Sequence, residues 1–282
     1  MKKKVIFCGT PDFANPSLIS LLQNPLIEII HVITQPDKIR SRGRQTSPTP
    51  VKKVATNHNI MVSTPPSKAD FEALIKQCNP DVIIVIAYGM IIPANIVNHY
   101  TCINVHASCL PKYRGASPIQ TALLNNDNTT GVSIIKMNDK MDEGPILLTK
   151  TCNIQPTDNF QTLHDTLATL GTDCLNTWLD AYLNNSPLSE TTQNHNEATY
   201  CKKIQKEDLL LNPNDSIYMN HAKIKAFSPV PGAYMMLDNQ RIKILAATIK
   251  DQKLIPTRVK PAGKQEMTYE DFKRGYNKTL LC

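Results

Sequence analysis

A carboxamide and an imidazole, Asn104 and His106, lie near the end of a predicted strand. Apolar Ile103 and Val105 alternate with them, and side chains two residues apart share one face of a strand. Pro111 follows shortly and indicates that regular structure has ended. Ligands of α/β sheets bind at the carboxyl ends of strands, so this pair is a candidate site. The alternative is two polar residues on an edge strand.

A carboxylate, Asp142, follows a later predicted strand, Thr130–Met137, and is expected to meet this pair. Imidazole exchanges protons near neutral pH, a carboxylate fixes its tautomer, and an amide N–H can bind a developing oxyanion. No G-x-S-x-G motif is present. The residues therefore favour direct acyl transfer from a bound donor to a bound acceptor. The alternative is that Ser108 or Cys109 acts as a nucleophile.

These side chains need a sheet to bring their strand ends together. The segment Asp81–Ala87 is β-branched and apolar throughout, which is typical of a strand buried on both faces of a parallel sheet. Short apolar strands alternate with helical segments before and after it. The expected fold class is α/β, a Rossmann-like, mostly parallel sheet flanked by helices. The first turn lacks G-x-G-x-x-G, so a dinucleotide is not inferred.

The chain is expected to divide into three parts. Residues 1–184 form the catalytic domain, the polar stretch 185–200 reads as a linker, and residues 201–282 form a second domain. Tyr234–Leu237 and Arg241–Thr248 are strand-like runs around a turn in that last part. They indicate a small C-terminal β-barrel, OB-like in character.

Composition limits the function classes. The chain has 282 residues, 41% of them hydrophobic, and no apolar run of about 18 residues, so no membrane span is expected. The basic start followed by a short apolar run is too brief for a signal peptide, which predicts a cytoplasmic protein. The eight cysteines show no zinc spacing, and we expect reduced thiols and no metal.

Positive charge is concentrated late in the chain. Residues 201–282 hold 15 Lys and Arg against 8 Asp and Glu, whereas residues 1–200 hold 16 of each. A basic domain indicates a polyanionic partner, nucleic acid before membrane. The loop Gln35–Pro50 adds four cations, and Arg40, Arg42, Gly43 and Arg44 are expected to grip phosphates. A solvated basic surface and a flexible loop are the alternatives.

Several segments, in order along the chain, resemble the methionyl-tRNA formyltransferases. The match extends from residue 4 to about residue 275. The Gly-Thr-Pro-Asp-Phe-Ala opening and the Ala-Ser-Pro-Ile-Gln run are its most specific parts, while Asn-x-His and the distant Asp are shared by all users of 10-formyltetrahydrofolate. The matching segments are Gly9–Ala14, Thr34–Asp37, Ala87–Gly89, Ile103–His106, Leu110–Gln120, Thr130–Ile134, Met141–Pro145, Pro229–Ala233 and Lys260–Lys264.

This resemblance implies that the formyl group of 10-formyltetrahydrofolate moves to the α-amine of methionine on the initiator tRNA, giving N-formylmethionyl-tRNA. Asn104 and His106 would stabilise the oxyanion, and His106 would also assist proton transfer. Asp142 would orient His106 and help to remove the amine proton. The co-substrate would contact two loops, which comprise Tyr88, Gly89, Met90, Ile91 and Ile92, and Ser108, Cys109, Leu110 and Pro111.

The resemblance also implies that the loop around Arg42 enters the acceptor stem and that the basic domain holds the tRNA. No metal is needed, and a monomer is expected. Two features depart from the family pattern. Cys109 replaces the usual Leu, and the span from Ala247 to Pro261 is short, so barrel strands are expected to be missing or merged.

Two other readings remain open from the sequence. One is a small-molecule formyltransferase or formyl-folate hydrolase with the same Asn-His-Asp site, which would not need a basic domain. The other is a non-catalytic RNA-binding relative, against which the intact Asn104, His106 and Asp142 argue.

Overall fold

A computed structural model describes residues 1–39, 46–276 and 279–280. In chain order the strands are β1 (Lys3–Gly9), β2 (Ile27–Ile33), β3 (Lys38–Ile39), β4 (Thr46–Ser47), β5 (Val62–Ser63), β6 (Val82–Ile86), β7 (Thr101–His106), β8 (Arg114–Gly115), β9 (Thr129–Lys136), β10 (Ile146–Asn153), β11 (Tyr200–Cys201), β12 (Ala233–Leu237), β13 (Gln240–Lys250), β14 (Lys253–Pro261) and β15 (Met267–Thr268).

The helices interleave with these strands. Pro16 lies in the first turn of the first helix, and the side chains of Thr49, Ser67 and Ser216 cap three others by accepting a main-chain N–H. The helices are α1 (Asn15–Gln23), α2 (Pro50–Asn57), α3 (Lys68–Cys78), α4 (Ala94–His99), α5 (Pro118–Leu124), α6 (Phe160–Leu183), α7 (Ile217–Phe227) and α8 (Tyr269–Tyr276).

The larger sheet has seven strands within the described residues, in the order β10-β9-β7-β6-β1-β2-β5. The pairs β1–β2, β1–β6, β2–β5 and β6–β7 are parallel, and β7–β9 is antiparallel. Every residue of β6 is buried, as its β-branched sequence predicts. Phe71 and Ile75 of α3 pack on Ile6, Ile83 and other residues of this sheet in one core cluster. The expected mostly parallel α/β sheet is confirmed.

The order of this sheet contains a switch point. The chain leaves β1 toward β2 and β5 on one side and returns to β6 and β7 on the other. The carboxyl ends of β1 and β6 therefore flank a crevice, which is where ligands of open α/β sheets bind. Thr10, just after β1, bridges the crevice, because its hydroxyl donates to the carbonyl of Tyr88 at 2.7 Å.

The C-terminal part contains a four-stranded antiparallel sheet in the order β12-β13-β14-β15, again counted over the described residues. The short span from Ala247 to Pro261 folds as a tight hairpin between β13 and β14. Its turn is formed by Asp251 and Gln252, both at positive φ, 50° and 56°. The expected C-terminal β-structure is confirmed, with β12 and β15 as edges in the described chain.

Two compact units make up the chain. The first comprises Met1–Arg114, Gly131–Thr151 and Asp165–Tyr200, and it includes all strands of the seven-stranded sheet except the tips of β9 and β10. The second comprises Gly115–Thr130, Cys152–His164 and the residues from Cys201 onward. The domain boundaries expected at residues 184 and 200 stay a prediction.

Candidate active site

The candidate site begins at the end of β7, between two other strands. Asn104 lies beside Val85 of β6 and Ile135 of β9, and His106 lies beside Ser133 of β9. The strand alternates as the sequence predicts, so the carboxamide and the imidazole leave the sheet on one face. Asp142 reaches the same place from the turn that follows β9.

Three predicted side chains meet at one carboxylate oxygen. Asn104 Nδ2 donates to Asp142 Oδ1 at 3.2 Å, and His106 Nδ1 lies 3.7 Å from the same oxygen. The side chains of His106 and Asp142 are only 7% and 11% exposed. Charge that develops at such a site is little screened by water. The convergence expected of Asn104, His106 and Asp142 is therefore present in the structure.

The second ring nitrogen of His106 fixes the tautomer. Nε2 lies 2.9 Å from the main-chain carbonyl oxygen of Tyr113. A carbonyl oxygen can only accept, so Nε2 carries the hydrogen, and Nδ1 of the neutral ring holds the lone pair that faces Asp142. Tyr113 is at positive φ, 61°, and its N–H donates to Thr199 Oγ1 at 2.9 Å.

The turn that carries Asp142 is unusual in its backbone. Asp142 has a φ of 57°, in the left-handed region that few residues other than Gly, Asn and Asp occupy. Two residues later, a Cβ added to Gly144 would overlap the carbonyl oxygen of Lys136. The close approach of this turn to β9 requires a glycine there, and it sets the direction of the Asp142 side chain.

Several residues behind this site were not predicted from the sequence. Gln193 is 4% exposed, and its amide contacts the carbonyls of Asp142 and Gly144. Arg114 is 1% exposed and bonds Gln193. The only available signal was Arg114 within the Leu-Pro-Lys-Tyr-Arg-Gly segment. Gln193 lies in the polar stretch expected to be a linker.

The predicted folate rim Ser108–Pro111 is tied to β9. Ser133 Oγ donates to the carbonyl of Ser108 at 2.8 Å and accepts the N–H of Leu110 at 3.0 Å. Ser108 is buried, and its hydroxyl donates to the carbonyl of Lys112 rather than to His106. Cys109 is half-buried. Because the Ser108 hydroxyl donates to the Lys112 carbonyl and not to the imidazole of His106, the geometry does not favour Ser108 as a nucleophile.

The second predicted folate segment, Tyr88–Ile92, lies at the switch point. Tyr88 and Ile92 point into the core, whereas Gly89 and Ile91 are exposed and Met90 is half-buried. The hydroxyl of Tyr88 is buried without a hydrogen-bond partner among the described residues, and burial raises its pKa well above the usual range. Tyr88 contacts the crevice through its main chain, because its carbonyl accepts the hydrogen bond from Thr10.

The cysteine beside Ile103 is excluded as a nucleophile by its environment. Cys102 is 1% exposed, and burial raises the pKa of its thiol to about 12. A thiol of that pKa stays protonated at neutral pH, and the thiolate is the reactive form. In the described part of the chain, no group of three or more His, Cys, Asp and Glu side chains is placed to hold a metal.

The predicted phosphate-gripping residues cannot be placed. Arg40, Arg42, Gly43 and Arg44 lie outside the described residues. The strands on either side of them, β3 and β4, pair with each other, with Lys38 opposite Ser47.

The site places a proton acceptor, His106 Nδ1, and an amide donor, Asn104 Nδ2, beside the carboxylate of Asp142. Asn104 Nδ2 can donate to a carbonyl oxygen on which negative charge develops, and His106 can do so once Nδ1 carries a proton. His106 Nδ1 can take a proton, and Asp142 stabilises the resulting imidazolium. This set suits transfer of an acyl group to an amine.

Two protein-family models match the chain. "Formyl transferase" matches residues 1–179, and "Formyl transferase, C-terminal domain" matches residues 203–256. The first match contains Asn104, His106 and Asp142, and the second contains β12 and β13.

Full-length relatives and a solved structure agree with these matches. A methionyl-tRNA formyltransferase of Kosmotoga olearia is 42% identical over 88% of this chain and 80% of its own length. That of Syntrophomonas wolfei is 36% identical over the same shares. The sugar 3N-formyl transferase WlaRD, solved with dTDP and 5-N-formyl-THF, has a TM-score of 0.67 at 20% identity, covering 90% of this chain and 88% of that one. The last similarity concerns the fold.

Proposed function

Because this chain belongs to the methionyl-tRNA formyltransferase family, we propose that it transfers a formyl group from 10-formyltetrahydrofolate to the α-amine of methionine on initiator methionyl-tRNA. The observation that carries this proposal is the meeting of Asn104 and His106 at Asp142 Oδ1. Asn104 and His106 precede Asp142 by 38 and 36 positions in the chain. The fold brings both side chains to one carboxylate oxygen at the end of the sheet, where the groups needed for acyl transfer must meet.

The proposed reaction needs proton handling and charge stabilisation. The methionine nitrogen bonds to the formyl carbon, the bond from that carbon to the folate N10 breaks, and the amine proton passes to the leaving N10. Asn104 Nδ2 and His106 stabilise the negative charge on the formyl oxygen while both bonds are partial. Asp142 holds His106 and stabilises its protonated form.

The crevice fits a flat, folate-like co-substrate. Gly89 has a φ of 89°, and among the described residues a Cβ added to it would meet only Gln35 Cγ, at 3.7 Å, so this loop exposes its main chain. The exposed side chain of Ile91 gives an apolar contact beside it. We assign the pterin to Tyr88–Ile92, with contact from the main chain at Tyr88, and the opposite rim to Ser108–Pro111.

A cluster of cations on the C-terminal sheet supports the tRNA as acceptor. Lys243 of β13 lies opposite Lys260 of β14 and opposite Tyr234 of β12. Arg241 stacks on the Tyr234 ring, with Cζ 3.9 Å from the centroid. Burial and the nearby charges of Lys260 and Arg241 lower the pKa of Lys243. Like charges facing each other destabilise a sheet, and a polyanion would relieve that repulsion.

The phosphate-gripping loop, the compartment, the oligomeric state, the metal requirement and the domain boundaries remain predictions. We propose that Arg40, Arg42, Gly43 and Arg44 grip the acceptor stem, and that the enzyme is a cytoplasmic monomer that needs no metal. No helix in the described part of the chain is long and apolar enough to cross a membrane. We further propose that residues 1–184 act as catalytic domain, 185–200 as linker and 201–282 as tRNA-binding domain.

The competing function is formyl transfer to a small amine, because a sugar formyltransferase shares the fold. The test supplies labelled 10-formyltetrahydrofolate with three acceptors in parallel, namely initiator methionyl-tRNA, an amino-sugar nucleotide and glycinamide ribonucleotide. We expect label only in the tRNA. Label in a small amine with none in the tRNA would contradict the proposal, and release of free formate alone would indicate a hydrolase.

A further inference from the structure

The direction of the Asp142 carboxylate depends on a turn that is held from outside. Asp142 has a φ of 57°, a conformation that costs free energy for a residue with a side chain. Such a conformation persists only where surrounding contacts determine it. Two main-chain carbonyls of this turn accept hydrogen bonds from Gln193, which lies 51 residues after Asp142 in the chain.

Both amide hydrogens of Gln193 are used on this turn. Nε2 donates to the carbonyl of Asp142 at 2.8 Å and to the carbonyl of Gly144 at 2.7 Å. Gln193 is 4% exposed, so water offers these carbonyls little alternative. Two hydrogen bonds from one planar group fix the spacing and orientation of two peptide units, the one between residues 142 and 143 and the one between residues 144 and 145.

The other end of the amide is fixed by Arg114. Gln193 Oε1 accepts from Arg114 Nε at 3.0 Å and from Nη2 at 2.8 Å. A guanidinium only donates and a carbonyl only accepts, so the amide has one possible orientation, with all its hydrogen-bonding capacity satisfied. Glutamate could bind Arg114 but could not donate to the two carbonyls.

Arg114 also holds Glu143, the residue between Asp142 and Gly144. Its Nη1 lies 3.4 Å from Glu143 Oε1 and 3.2 Å from His195 Nδ1. The same stretch of chain contacts the other side of the site, because Thr199 Oγ1 accepts the N–H of Tyr113, whose carbonyl binds His106. The polar stretch that begins near Thr191 is therefore packed behind the reacting groups.

We propose that Gln193 is a positioning residue that aims the Asp142 carboxylate at Asn104 and His106, with Arg114 as its anchor. The inference rests on the proposed role of Asp142 in formyl transfer. Misplacement of a catalytic group by about 1 Å can cost on the order of 100-fold in rate. Loss of Gln193 therefore lowers the rate of transfer while leaving the binding of folate nearly intact.

The experiment measures steady-state formyl transfer to methionyl-tRNA by the wild type, by Gln193→Ala and Gln193→Glu, and by a control, Glu190→Ala. The control removes an exposed ion pair with Lys136 from the same stretch. We expect kcat to fall at least about tenfold in both Gln193 variants, with the KM for folate within about twofold and the acidic limb of the pH–rate profile displaced. The control should keep the wild-type values.

A double variant separates positioning from a general structural role. If Gln193 acts through Asp142, then Gln193→Ala adds no further loss of rate to Asp142→Asn. Multiplied losses, a kcat of Gln193→Ala within twofold of wild type, or failure of both Gln193 variants to fold would each overturn the inference. If Asp142→Asn alone keeps full activity, the proposed function of the site fails instead.

Discussion

The Nε2 atom of His106 lies 2.9 Å from the main-chain carbonyl oxygen of Tyr113. This hydrogen bond leaves Nδ1 as the nitrogen that faces Asp142 Oδ1, at 3.7 Å. The carbonyl of Tyr113, a residue at positive φ, thus determines which ring nitrogen of His106 can accept a proton. Side-chain identity alone does not decide which nitrogen reacts.

The tautomer of His106 gives a first prediction. In protein labelled with ¹⁵N-histidine, the neutral ring of His106 should show a protonated Nε2 and an unprotonated Nδ1, because the Tyr113 carbonyl can only accept. His106→Gln identifies the signal by its disappearance. A neutral ring with hydrogen on Nδ1 would contradict the arrangement.

A second prediction concerns the turn that carries Asp142. Gly144→Ala should destabilise the fold by about 1–3 kcal/mol and slow formyl transfer at least about tenfold, because the new Cβ overlaps the Lys136 carbonyl. Denaturant unfolding and single-turnover rates measure the two effects. Gly275→Ala is the control, since a Cβ there meets no atom of the described residues within 4 Å. Equal behaviour of the two variants would refute the close approach.

A third prediction addresses the acceptor. Arg42→Ala should weaken tRNA binding and reduce the slope of log affinity against log salt by about 1, because one phosphate contact is lost. Lys76→Ala removes an exposed cation on α3 and serves as control. Titration of labelled tRNA at several salt concentrations measures both. An unchanged slope for Arg42→Ala would remove this residue from the tRNA contact.

A fourth prediction concerns acid stability. Burial lowers the pKa of His31, which is 3% exposed and bonds Ser63 Oγ through Nε2. The unfolded chain therefore binds a proton at a higher pH than the folded chain. Stability is full above the ordinary histidine pKa of 6.5 and falls as the pH drops below it. His31→Gln should flatten this fall between pH 7 and 5 in denaturant titrations, and an unchanged slope would count against it.

The sheet and the three side chains that meet at Asp142 Oδ1 were predictable because each is marked by a local pattern in the sequence. Apolar runs such as Asp81–Ala87 indicate burial on both faces, and polar residues that end strands indicate a site. The hairpin turn was missed because its two residues, Asp251 and Gln252, are not one of the pairs, Asn-Gly or Asp-Gly, that usually mark such a turn. Its strand β14 was missed with it.

The support behind the site could not be read from the sequence. Gln193 stands in a polar stretch without periodicity, and its bonds to Asp142 and Arg114 join residues 51 and 79 positions apart. Nothing local distinguishes a buried glutamine from a solvated one. The same holds for the Tyr113 carbonyl, a main-chain group whose direction depends on a φ of 61°.

The most direct test of the account is single-turnover transfer of a labelled formyl group from 10-formyltetrahydrofolate to initiator methionyl-tRNA by the wild-type chain and by His106→Ala. We expect formylated tRNA from the wild type and a rate at least about tenfold lower for the variant, since one acid–base group contributes about 10²–10⁴-fold. Thermal unfolding of both proteins controls for folding. No formylated tRNA from the wild type, or equal rates from a folded variant, would contradict it.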